Sequence, residues 1–260
     1  MELLEANGTR LAVEVVGSGD PVTVVAHGLT GSRHDFAPIA PFVPGTAVLF
    51  DFRGHGDSGR PPAGAYSMDM FAADLDAVAR HHGATRLVGV SLGAGAAVRL
   101  LSSQPDRFER LVFVLPARLD PGSPARDRLL RLAQRLEAAE VAAVADEVVA
   151  EEERAGDYGA GSTARETRRI ALLRMNGDGV PRAIREALDD PPARDHEALR
   201  RIEAPALVIG QEGDPVHAAD AARGLAETLP NAELILYPDR FALVRDIASL
   251  TARVAAFLAG

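Results

Sequence analysis

Residues 86–95 read Arg-Leu-Val-Gly-Val-Ser-Leu-Gly-Ala-Gly. Arg86–Val90 has the character of a short buried strand and Leu92–Ser103 that of a helix, so the chain must pass from one to the other at Ser91. A turn that tight strains the Ser91 backbone and leaves no room for a side chain two residues before or after, where Gly89 and Gly93 stand. It also lifts the Ser91 hydroxyl above the sheet edge. The helix start aims free N–H groups and the positive end of its dipole at the same spot. A G-x-S-x-G pattern in a strand–turn–helix setting therefore presents a serine as a nucleophile.

The rest of the chain repeats the strand–helix alternation. Glu2–Ala6 and Arg10–Gly17 flank Asn7-Gly8, a pairing that predicts an antiparallel hairpin. Val22–His27, Ala47–Asp51, Leu111–Leu115, Ala206–Gly210 and Glu233–Tyr237 are apolar runs like Arg86–Val90. Helical patterns cover Met68–His82, Ala218–Leu229 and Leu243–Leu258. Alternation of this kind predicts an α/β fold, a mainly parallel sheet covered on both faces. Ligands of such sheets sit at the carboxyl ends of the strands. From Ala117 to Leu199 the alternation stops, leaving helix-like segments at Asp127–Ala150 and Ala164–Met175 with breaks at Gly156–Gly161 and Asn176–Pro181. We read 1–116 with 200–260 as the core, and 117–199 as a helical cap inserted after the sixth strand.

Composition removes several classes of function. The formal net charge is −9 in 260 residues, which argues against nucleic acid or an anionic membrane as partner. The chain has no cysteine, so disulfides, thiolate metal sites and a thiol nucleophile are out. The start Met1-Glu2-Leu3-Leu4-Glu5 has no signal-peptide pattern and no run reaches membrane-spanning length, so a cytoplasmic protein with a small-molecule substrate is expected. The sequence leaves the oligomeric state open.

Three further motifs fall at strand ends. His27-Gly28-Leu29-Thr30-Gly31 would turn the Leu29 N–H toward Ser91, making with the Leu92 N–H a two-donor oxyanion hole. His27 itself reads as a brace for that loop. Asp51-Phe52-Arg53-Gly54-His55-Gly56-Asp57-Ser58-Gly59 contains G-x-G-x-x-G. Arg60-Pro61-Pro62 cannot open the helix that a dinucleotide fingerprint requires, so no NAD or FAD site is expected and Arg53 is read as a loop brace. Asp214 follows the seventh strand and stands after Ser91 in chain order, as the acid of a Ser…Asp…His arrangement should, with Glu212 as its competitor.

Taken together, His27-Gly28, Asp51 to Gly59, Gly89 to Gly93 and Asp214 resemble the α/β-hydrolase fold family. Within it the stretch Asp51-x-Arg53-Gly54-x-Gly56-x-Ser58 is similar to the esterase, haloperoxidase and C–C hydrolase branch. The resemblance implies an eight-stranded sheet with a cap and a Ser–His–acid triad. It also implies hydrolysis of an ester- or thioester-like acyl bond without metal or organic cofactor.

The family's histidine follows the last strand, and this chain lacks it. Pro238-Asp239-Arg240-Phe241-Ala242-Leu243 stands there, and no histidine follows His217. Arg240 cannot act as the base, since a guanidinium holds its proton; it is expected to pair with a substrate carboxylate or with Asp214. His217 is the nearest substitute, three residues beyond Asp214 on a loop that Pro215 stiffens, and His34 is a second candidate. His81, His82 and His196 are expected to be solvated. No histidine pair has metal-ligand spacing with a supporting carboxylate, so no metal site is expected. Losing a triad histidine costs on the order of a million-fold in turnover in a serine protease. Three readings follow: a serine hydrolase with an unusual base, a ligand-binding protein that has lost turnover, or a lyase or isomerase using the same pocket.

Overall fold

The computed structural model describes residues 1–118, 125–156 and 163–260. The opening hairpin is β1 (Glu2–Ala6) and β2 (Thr9–Gly17). Asn7 and Gly8 both take positive φ, 48° and 77°, as a two-residue hairpin turn with the right twist requires. There follow β3 (Val22–Ala26), β4 (Thr46–Phe50), helix α1 (Met68–His81), β5 (Arg86–Val90), α2 (Leu92–Ser103) and β6 (Arg110–Val114). Helices α3 (Arg126–Ala138), α4 (Val141–Arg154), α5 (Thr163–Leu173), α6 (Gly179–Ala187) and the short α7 (His196–Leu199) come next. The chain then runs through β7 (Ala206–Gln211), α8 (Ala219–Thr228), β8 (Ala232–Tyr237), α9 (Ala242–Arg245) and α10 (Ile247–Ala259).

The strands form one sheet of eight in the order β1-β2-β4-β3-β5-β6-β7-β8. β1, β2 and β4 pair antiparallel and every later pair is parallel. Strands β3 to β7 are apolar along their length because both faces are covered. On one face Leu75, Leu101 and Leu225 from α1, α2 and α8 pack on the sheet. On the other, Phe36, Leu250 and Leu258 close over Val25, Leu49 and Ile209. Among the described residues no helix is long and apolar enough to cross a membrane.

Between β6 and β7 the described residues contain only helices. Leu136, Val149, Leu172 and Ile184 from α3, α4, α5 and α6 form a small core of their own, and Leu29 of the β3 loop packs against it. Polar contacts tie this layer to the sheet domain: Glu186 of α6 accepts from the Gly64 and Tyr66 N–H groups, and Asp190 accepts from the Met68 N–H. The single helix expected over Asp127–Ala150 is two, broken where Ala139 and Glu140 turn extended. The break expected at Asn176–Pro181 is shorter, because Pro181 falls in the first turn of α6 where its missing N–H costs nothing. The break expected at Gly156–Gly161 lies, beyond Gly156, outside the described residues. Leu243–Leu258 also divides, at Asp246 between α9 and α10.

One buried ion pair locks the loops at the strand ends. The Arg53 guanidinium, 1% exposed, donates to both carboxylate oxygens of Asp74, itself fully buried in α1. It also donates to the Asn7 and Ala65 carbonyls, and Asn7 donates back to Asp74. Removing one charge strands the other, at a cost of about 3–5 kcal/mol. Asp74→Ala should therefore lose stability of that order in urea unfolding, whereas replacing both residues by apolar ones should cost much less; equal losses would contradict this role.

Candidate active site

The turn between β5 and α2 places Ser91 at φ 50° and ψ −106°, a conformation that costs a non-glycine residue about 1–3 kcal/mol. The neighbours allow nothing larger than glycine. A Cβ on Gly93 would run into the Ala26 carbonyl, and one on Gly89 would come within 2.8 Å of the Ala94 nitrogen. The helix start is thus clamped against β3, and the Gly93 N–H donates to the His27 carbonyl at 3.0 Å.

The Ser91 hydroxyl has one histidine beside it. His217 Nε2 lies 2.9 Å from Ser91 Oγ, and His217 Nδ1 lies 3.3 Å from Asp214 Oδ2. The loop after β7 supplies both partners because Asp214 folds it. Its Oδ1 accepts from the Val216 and His217 N–H groups at 2.7 and 2.9 Å, an Asx-turn that returns the chain over the carboxylate. Ala218 stays extended before α8 begins, so the His217 ring is free to point toward Ser91. Pro215 stiffens this turn without preventing the approach. Burial works to raise the Asp214 pKa, but the His217 side chain and N–H and the Gln211 amide overcome it and hold the carboxyl far below the usual range.

Gln211 was not legible as a site residue. It ends β7, is buried, and donates from Nε2 to Asp214 Oδ2 at 2.8 Å, the oxygen that faces His217. Glu212, the alternative acid, is instead paired with Arg223. His34 sits in the short turn Arg33–Asp35 and does not line the cavity at Ser91.

The Leu29 and Leu92 N–H groups donate no hydrogen bond among the described residues, and both residues line the cavity that Ser91 faces. The β3 loop that carries Leu29 is braced from below. His27, fully buried, accepts from the Phe52 N–H through Nε2, and His55 Nε2 lies 2.7 Å from the Leu29 carbonyl oxygen. Arg33, buried and ion-paired with Asp51 and Asp57, ties the same loop to the end of β4. His27 braces this loop as its sequence position suggests, whereas Arg33 is not marked by the sequence, because a lone arginine in a loop carries no local pattern. The stretch Gly54–Gly59 is a succession of turns, with no helix opening after it.

A cavity of about 390 Å³ opens at this pair, walled by Leu29, Phe36, Met68, Leu129, Leu188 and Val216 among others. It lies between the strand ends and helices α3, α5 and α6. Arg240 is not brought into this group. Its guanidinium stands 4.5 Å from the centre of the Phe241 ring, and it does not line the cavity.

This sheet, with a strained serine at the β5–α2 turn, is the architecture of an α/β hydrolase, and the chain belongs to that family: the alpha/beta hydrolase fold model matches residues 21–242. Its relatives include esterase- and lipase-like proteins. A putative hydrolase of Mycobacterium tuberculosis, LipZ, is 28% identical over 243 residues, covering 85% of this chain and 82% of that protein. The sn-1-specific diacylglycerol lipase ABHD11 of Danio rerio is 38% identical over 105 residues, a match spanning 38% of this chain and 32% of the fish protein. Among solved structures, the enol-lactonase of Burkholderia xenovorans LB400 superposes over 100% of both chains with a TM-score of 0.81 at 22% identity. An esterase from Exiguobacterium antarcticum gives 0.81 at 17% identity over 99% of both chains. At these identities the two structures speak for the fold.

The depressed Asp214 carboxyl stabilises the fold above its unfolded pKa, near 3.9, and that contribution is lost as pH falls toward its folded value. Asn mimics the protonated form. Asp214→Asn should cost about 1–3 kcal/mol in urea unfolding at pH 7, with the gap to the unsubstituted chain closing between about pH 5 and pH 2. A gap independent of pH would show that the carboxylate charge does not organise this loop.

Proposed function

We propose that this protein is a serine hydrolase acting on a small, mostly apolar acyl ester or thioester, with Ser91 as nucleophile, His217 as base and Asp214 as the acid that orients it. The observation that carries this reading is the 2.9 Å contact of His217 Nε2 with Ser91 Oγ. A serine hydroxyl needs a base within about 2.6–3.2 Å, and a ring nitrogen at that distance supplies one. The 3.3 Å separation from Asp214 is long for a hydrogen bond, and such contacts tighten when substrate or charge is present.

In the first step Ser91 Oγ attacks the acyl carbonyl while its proton passes to His217 Nε2. The oxyanion forms against the Leu29 and Leu92 N–H groups, at the positive end of α2, and Asp214 stabilises the imidazolium. Collapse breaks the acyl–oxygen or acyl–sulfur bond, and His217 returns the proton to the leaving group. Water, deprotonated by His217, then releases the acid and restores Ser91. Helices α3 to α6, between β6 and β7, act as a cap over the acyl group, and the cavity volume fits a small ligand. Family membership and esterase- and lipase-like relatives support the chemistry; the pocket supports the size and polarity of the substrate.

Hydrolysis of short-chain p-nitrophenyl esters tests the assignment. Ser91→Ala and His217→Gln should each lower kcat by on the order of 10⁴-fold or more with little change in KM, and the double variant should be no worse than either single one. Asp214→Asn should lose about 10⁴-fold by leaving the imidazole in the wrong tautomer. Full activity in His217→Gln would remove His217 from the mechanism.

A further inference from the structure

The sequence places His81 and His82 at the end of α1 with no carboxylate nearby, and they are expected to be solvated. The fold brings a carboxylate to both and leaves His81 exposed, as expected, but largely covers His82. β1 is an edge strand that passes beside α1, and it carries Glu2 to the two imidazoles. His81 Nε2 lies 3.0 Å from Glu2 Oε1, and His82 Nε2 lies 3.8 Å from Glu2 Oε2. The three donor atoms all fall within 4.8 Å of one another. Adjacent residues inside a helix point about 100° apart. Here the helix stops between them, Gly83 takes φ 66°, and the two rings come to 4.8 Å at a steep tilt.

The His82 side chain is only 14% exposed, and its Nε2 is buried with no hydrogen-bond partner among the described residues. A single carboxylate facing two imidazoles can pair well with one, as it does with His81. A cation at the centre would satisfy all three donors at once.

We propose that Glu2, His81 and His82 form a binding site for a divalent first-row transition ion of the zinc type. Zinc bonds to imidazole nitrogen and carboxylate oxygen are about 2.0–2.1 Å, so two tetrahedral ligands stand about 3.3 Å apart. Glu2 Oε1 stands 3.0 Å from His81 Nε2 and Oε2 stands 3.8 Å from His82 Nε2, and with one donor atom from each residue the set lies within 4.8 Å, so side-chain rotation must draw the donors together by at most about 1.5 Å to reach that edge. Two nitrogens and one oxygen select zinc, nickel or copper over magnesium and calcium, which take oxygen ligands. Glu2 and His81 are half exposed, 44% and 47%, so water or an external ligand completes the shell. The ion would staple the edge strand β1 to α1 on a surface separate from Ser91, contributing to stability rather than to turnover.

Titration of ZnCl₂ into the untagged full-length chain by calorimetry tests this, read beside thermal unfolding with and without the metal. The wild type should bind close to one ion per chain and gain several degrees in Tm, with no response to MgCl₂. The His81→Asn/His82→Asn double variant should lose that site and the Tm gain while keeping its esterase activity. Glu2→Gln, an exposed change with little effect on folding, should weaken binding at least tenfold. Absence of zinc binding in the wild type, or equal binding in the wild type and both variants, would overturn the site.

Discussion

Ser91 is held in a backbone conformation that almost no other environment would tolerate, and the fold around it is what makes the conformation stable. The clamp is steric. Helix α2 starts so close to β3 that Gly93 meets the Ala26 carbonyl, and this approach fixes both the direction of α2 and the height of the serine above the sheet. Parallel pairing of β3, β5, β6 and β7 then puts the loops that follow them around a single point. The Leu29 loop, the Leu92 N–H and the Asp214 loop reach Ser91 from those neighbouring strand ends without any one of them being long.

The second organising element is the Asp214 carboxylate. One oxygen folds the β7 loop by accepting two backbone N–H groups, and the other faces Gln211 and His217. A histidine three residues from its acid can reach the serine only because the acid itself shapes the turn between them. In the loop after β8, Arg240 stacks on Phe241, and Ala242 starts a short helix.

Much of this was legible in the sequence. The apolar runs mark the buried strands to within a residue or two, because strands covered on both faces need apolar side chains throughout. Asn7-Gly8 marks the hairpin because few residue pairs take positive φ twice. Ser91 was readable from two glycines that no other residue could replace. The contact between His217 and Ser91 was not, since it depends on how an Asx-turn and an extended Ala218 aim a side chain. Arg33 with Asp51, Gln211 with Asp214, and Glu2 with His81 and His82 were hidden for a similar reason. Each joins residues that the sheet or a loop brings together, and none leaves a periodic trace. The helix boundaries between β6 and β7 shifted because Arg, Glu and Ala favour helix on both sides of every break.

The central claim is that His217 activates Ser91. Labelling with a fluorophosphonate, read by intact mass, tests it most directly, because the probe reports the nucleophilicity of the serine without any choice of substrate. The wild type should take up one probe per chain, with the label lost in Ser91→Ala and in His217→Ala. Labelling that survives in His217→Ala at the wild-type rate, or that never occurs in the wild type, would contradict the claim.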